Sequence, residues 1–275
     1  MFYLAKYSKL ANFKLMISEQ MNIKDILEWY LLAGVDETCG NTGFDICAKD
    51  NKSVVAETLT RPAISRLAQN TGGAYKIAVD TCESASSLDE LKSALEVFEG
   101  CTLKQTASHT VFGDGNPKAR LMLIGEAPGA DEDREGIPFV GRSGQLLDKM
   151  MAAISLNRND YYICNILPWR PPGNRTPLDS EIAVCLPFLR KQIDLVDPDY
   201  ILVLGGSAAN SLLGTADTIS KMRGHWYDYP KTNGKNAKVL ASFHPAYLLR
   251  TAGQKAKAWA DLLKMAKALN DEKNC

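Results

Sequence analysis

The chain has 275 residues, of which 45% are hydrophobic and 23% charged, with 20 Gly and 12 Pro. That is length for one good-sized α/β core and an accessory region, and the composition excludes collagen, coiled coil and a wholly disordered chain. Basic and acidic residues balance at 32 each, so bulk charge by itself predicts no polyanionic partner.

The balance hides an asymmetry. The first hundred residues hold 10 basic and 14 acidic side chains, the remainder 22 and 18. A polyanion would meet the second part, although a solvated surface gives the same count. The seven cysteines (Cys39, Cys47, Cys82, Cys101, Cys164, Cys185 and Cys275) form no CxxC pair and are odd in number, which argues against a secreted disulfide framework. No run of 18 apolar residues marks a membrane span. The start carries Lys6, Lys9 and Lys14 but no long apolar stretch or clear cleavage site, so no secretory signal is read and a cytoplasmic protein without membrane contact is expected.

In chain order, residues 21–34 read as a short amphipathic helix with Ile23, Ile26, Leu27, Tyr30 and Leu31 on one stripe. From residue 35 to 86 no period persists; this reads as a linker with one weak helix near 63–70, making residues 1–86 an N-terminal extension. Ser87 and Glu90 form a capping box before Leu88, Leu91, Leu95 and Phe98, and the domain proper is expected over 87–275. Strands are then expected at 120–125, 161–167, 200–205 and 238–243. Helices are expected at 143–154, 177–196, 207–213 and 254–269. Four strand–helix alternations predict a three-layer α/β/α fold around a central four-stranded parallel sheet. In such sheets ligands sit beyond the carboxyl ends of the strands.

The residues at those ends are therefore candidates. Gly125 opens GEAPGADEDREGIPFVG, which is poor for a phosphate because Pro128 lacks an N–H and Glu126, Asp131, Glu132, Asp133 and Glu135 repel one. Its turns, carboxylates and the ring of Phe139 suit a flat heterocycle better. Asn165 ends the second strand; its amide either bonds to backbone or reads a base edge with one donor and one acceptor. Behind it, WRPPGNRTP carries Arg170 and Arg175, as DNA contacts or as a structural corner. The fourth strand ends in HPAYLLR. His244 at a parallel strand end, fixed by a following Pro, is a catalytic candidate. Tyr247, Leu248 and Leu249 read either as a wedge into a base stack or as the first turn of a packed helix, with Arg250 beside them. HExxH, CxxC and a Walker lysine are absent.

Taken in order, GEAPGADEDREGIPFVGRSGQLL (125–147), YYICNILPWRPPGNRTP (161–177), ISKMRG (219–224) and FHPAYLLR (243–250) resemble the family 4 enzymes of the uracil-DNA glycosylase superfamily. The resemblance runs from about residue 95 to 269. It implies a monomeric enzyme that flips uracil out of DNA and cleaves its N-glycosidic bond. It implies that Glu126 lies in the water-activating loop, Glu132 near the glycosidic bond, and that His244 stabilises the departing uracil anion. Gly125, Phe139 and Asn165 would form the uracil pocket. Arg170, Arg175, Lys221, Arg223, Tyr247, Leu248, Leu249 and Arg250 would contact DNA.

The family usually holds a 4Fe–4S cluster on four cysteines. Here Phe98 and Trp169 take two of those positions, and only Cys101 and Cys185 keep the others. The expectation from this departure is a protein without a cofactor or metal. A Rossmann nucleotide-binding protein would need a GxGxxG loop where GEAPGADE stands, and a non-catalytic uracil- or DNA-binding module would not need Glu126, Glu132 and His244.

Overall fold

The computed structural model describes residue 71 and residues 73–271. The helices expected at 21–34 and 63–70, and Cys39, Cys47 and Cys275, lie outside the described residues.

Four buried strands form the parallel centre: β2 (Leu121–Gly125), β3 (Tyr161–Asn165), β4 (Tyr200–Leu204) and β6 (Asn236–Ser242). They are joined at the edges by two antiparallel strands, β1 (Asp114–Gly115) and β5 (Trp226–Pro230), giving the order β1-β3-β2-β4-β6-β5. The sheet therefore has six strands where four were expected. The two extra strands hide for different reasons. β1 has two residues, too few for a period. β5 is WYDYP, whose aromatic residues favour a strand but whose half-exposed faces and final Pro break the apolar run. Leu121↔Tyr161 and Leu121↔Tyr200 set the register, which brings Gly125 level with Asn165 at the carboxyl end.

Alternation along the strands divides the core. Leu121, Leu123, Tyr161, Ile163, Leu202 and Leu240 face α4 (Arg142–Ala152) and α9 (Lys255–Asp271). Met122, Ile124, Cys164, Ile201, Val203 and Val239 face α5 (Asp179–Val196) and α6 (Gly206–Leu213). Each layer is close-packed, and burying a Leu or Ile there is worth roughly 1.5–3 kcal/mol. The three-layer α/β/α architecture is the one expected from the alternation.

A third cluster gathers α1 (Ala74–Glu83) and α2 (Leu88–Val97) against α5. The helix α1 corrects the linker reading of residues 35–86. Its buried stripe is made of Ala78 and Cys82, with Ala85 just beyond, small side chains that allow close approach yet carry little hydropathic signal. At the start of α2, the Ser87 hydroxyl accepts from the Glu90 N–H at 3.2 Å. The Glu90 carboxylate turns instead to the Ser86 N–H and hydroxyl, both at 2.7 Å, so only half of the expected capping box forms. The remaining short helices are α3 (Ala130–Glu135), α7 (Ile219–Met222) and α8 (Pro245–Arg250).

Candidate active site at the carboxyl ends of the strands

A cleft of about 440 Å³ opens where β2, β3 and β6 end. Glu126, Glu132, Phe139, Asn165 and His244 all line it, as do Arg175, Tyr247 and Arg250. Gly125, the last residue of β2, packs against two of these residues. A methyl group built there would stand 2.4 Å from Asn165 Oδ1 and 2.5 Å from Phe139 Cζ, so only glycine lets the amide and the ring approach the same point.

Asn165 is 7% exposed, and its Oδ1 accepts no hydrogen bond. A buried unpaired amide oxygen costs about 1–3 kcal/mol, which marks a place where a ligand donor belongs. Phe139 sits above it with φ of 56°, an unusual backbone for a bulky residue. Gly144 makes room for this turn, since a side chain there would meet the Phe139 carbonyl at 1.8 Å. The ring lies 5.8 Å from the imidazole of His244, with 31° between the planes.

His244 precedes α8. Its Nδ1 accepts from the Ala246 N–H at 3.1 Å, which leaves Nε2 to carry the proton. Burial, helped by the nearby Arg250 charge, pulls its pKa down to about 4, so the imidazole is neutral at pH 7. Gly205, with φ of 99°, leaves room for His244, since a methyl group built there would stand 3.2 Å from the His244 Cβ. Glu126 is half-buried, and burial raises its pKa against the opposing hydrogen bond from Ser207.

The remaining candidate residues make contacts within the chain or point into its core. Glu132 reaches the cleft wall, but its two oxygens accept from the Gly129 N–H at 3.1 Å and the Gly141 N–H at 2.9 Å, stapling the two ends of the loop. Leu248 is 0% exposed in the core beneath the sheet, whereas Leu249 is 43% exposed. A helix of six residues cannot turn both side chains outward, because adjacent positions diverge by about 100°. Arg223 holds Asp261 at 2.6 and 3.1 Å and packs over the Phe243 ring, away from the cleft. Lys221 is exposed on α7, 3.6 Å from Asp217. Arg170 donates to Asn174 Oδ1 at 2.8 Å, and Arg175 pairs with the buried Glu181.

With this arrangement in view, the comparisons are decisive. Residues 112–263 match the family model of the uracil DNA glycosylase superfamily. The chain belongs to the uracil-DNA glycosylase superfamily. A type-4 uracil-DNA glycosylase of Archaeoglobus fulgidus is 41% identical over 167 residues, covering 59% of this chain and 83% of that protein. One from Thermotoga maritima is 43% identical over 151 residues, covering 54% and 77%.

This membership corrects the expectation of a cofactor-free protein. The matched relatives are named type-4 uracil-DNA glycosylases, the class whose resemblance implies a 4Fe–4S cluster, so the expectation of no cofactor does not stand. Cys101 and Cys185 lie buried with their sulfurs 3.8 Å apart. The other two expected ligand positions hold Phe98, whose ring packs 5.0 Å from that of Phe188, and Trp169, whose indole N–H donates to Thr110 at 3.0 Å. Among the described residues no group of three or more His, Cys, Asp or Glu side chains is arranged to hold a metal ion. These residues do not make up a four-thiolate set. Among the described residues no helix is long and apolar enough to cross a membrane.

Proposed function

We propose that the cleft receives a uracil flipped out of DNA and that the chain hydrolyses its N-glycosidic bond, leaving an abasic site as the first step of base excision repair. The observation that carries this reading is the unpaired Asn165 Oδ1 close to the Phe139 ring. Uracil offers an N3–H donor to that oxygen and an O4 acceptor to the amide N–H, while its face stacks on Phe139. Cytosine offers the reverse pattern at that edge, and a wrong base leaves buried groups unpaired.

Cleavage sends the bonding electron pair into the uracil ring, and negative charge grows on O2. The neutral His244 donates from Nε2–H to that oxygen. Water adds to C1′ of the oxocarbenium-like sugar and gives up a proton to Glu126, whose raised pKa suits a general base. Glu132 holds the loop in shape. Leu249 and Tyr247 enter the vacated stack, and Arg170, Arg175 and Arg250 face the phosphates. The protein works as a monomer in the cytoplasm, with DNA as its substrate.

The test is a cleavage assay on oligonucleotides carrying uracil opposite guanine, opposite adenine and in a single strand, with Asn165→Asp in parallel. The parent should release uracil. The variant, which sets an acceptor-only carboxylate against O4, should lose at least about a hundredfold. Equal rates would make Asn165 a structural amide and the pocket misplaced.

A further inference from the structure

The left-handed backbone of Phe139 needs a restraint, because a bulky residue at positive φ is strained unless its surroundings impose it. The restraint comes from outside the cleft. Arg158, in the turn before β3, donates from Nη1 to the Pro138 carbonyl at 3.1 Å and from Nη2 to the Phe139 carbonyl. Its Nε is anchored on Asp148 of α4 at 2.8 Å, and Asp114 at the sheet edge stands 3.4 Å from Nη1. The side chain is 26% exposed. One planar guanidinium thus ties two successive carbonyls of the ring-bearing turn to two fixed carboxylates. A lysine, with a single point charge, cannot hold that fork.

We infer that Arg158 is a positioning residue for base recognition: by clamping the Pro138 and Phe139 carbonyls it fixes the Phe139 ring over Asn165 and beside His244. It touches neither base nor sugar and acts through Phe139 alone. The inference deepens the proposed uracil pocket and rests on that reading for its kinetic consequence. Its structural consequence stands independently, since the ring is only 5.8 Å from His244.

The experiment is a double-mutant cycle read with two signals. Single-turnover uracil excision is measured for the parent, Arg158→Gln, Phe139→Ala and the double variant. The side-chain resonances of the three histidines, His109, His225 and His244, are followed by NMR in the same proteins. Arg158→Gln should lower the rate at least tenfold, as misplacement of a substrate-holding group typically does. It should also shift the His244 imidazole resonances, which sense the ring current of Phe139, while the exposed His225 stays in place. In the Phe139→Ala background the same change should cost nothing further, because the residue acts through the ring. Arg158→Lys should recover part of the rate.

A rate within twofold of the parent, an additive loss in the double variant, or unmoved His244 resonances would each overturn the inference. Should Arg158→Gln lose its circular-dichroism signature of folding, Asp148→Asn, which frees the Nε anchor, carries the same test with smaller shifts of the same sign. A parent that releases no uracil would refute the pocket reading, and the His244 resonances alone would then decide the role of Arg158.

Discussion

His244 shows how one side chain acquires its chemistry from burial and a single hydrogen bond. With Nδ1 occupied by the Ala246 N–H and the pKa near 4, the ring offers a neutral donor across the whole neutral range. His244→Ala should lower the single-turnover rate by at least tenfold, since loss of one oxyanion donor costs about 2.7–4 kcal/mol. The parent's activity should fall as pH drops below neutral, first as Glu126 takes up a proton at its raised pKa and then toward about 4, where His244 Nδ1 gains a proton and opposes the Ala246 N–H. Folding stability follows the same group. The folded pKa lies below the unfolded value of 6.5, so stability is full above pH 6.5 and is lost as pH falls through about 4, by up to ~3 kcal/mol. Denaturant titrations at pH 7 and pH 4.5 would measure it, and His244→Gln should flatten the difference. His244, Phe139 and Asn165 were legible as candidates because strand ends carry ligands. Arg158 was not, because its partners are carbonyls 19 and 20 positions away and no motif announces such a contact.

Among the secondary elements, α8 corrects the sequence most instructively. The sequence of residues 247–249 fits either a wedge or a packed turn, and the helix divides them between the core and solvent. Leu248 packs against the core, while Leu249 faces solvent and Tyr247 lies between, 5.2 Å from the Phe243 ring. Leu249→Ala should therefore impair excision from duplex more than from single-stranded substrate, because only a duplex demands unstacking. Leu248→Ala should instead destabilise the fold by about 2–5 kcal/mol, with equal losses on both substrates once folded protein is compared. Melting curves and paired excision rates separate the two. An equal effect of Leu249→Ala on both substrates would remove it from the wedge. The loop from Gly129 to Gly141 gives a parallel lesson. Glu132, which the resemblance places near the glycosidic bond, accepts from two backbone N–H groups that close the loop. Composition could not tell a catalytic carboxylate from a stapling one, since the distinction lies in which donors face it.

Across the whole molecule, the network at the end of β6 binds elements distant in sequence. Asp261 of α9, 0% exposed, accepts from Arg223 after α7 and from Ser242 of β6 at 2.8 Å. Burial pushes its carboxyl up to about 6 against the pull of Arg223, so it is ionised at neutral pH. Removing one member of a buried pair leaves the other charge uncompensated, at about 3–5 kcal/mol. Asp261→Asn should lower the urea midpoint accordingly and leave the affinity of the folded protein for abasic DNA unchanged. A large loss of that affinity would return Arg223 to the DNA surface. The order of the four central strands and of the helices between them, the three layers and the five residues that meet at the cleft were determined by the sequence itself. Apolar period and strand-end position are local properties, and the parallel crossover rule converts them into a place. Only the tertiary structure decided which carboxylates and guanidiniums are free to act. Glu132 and Arg223 meet partners 3 to 38 positions away, and a charge's role is set by what stands within hydrogen-bond reach of it after folding.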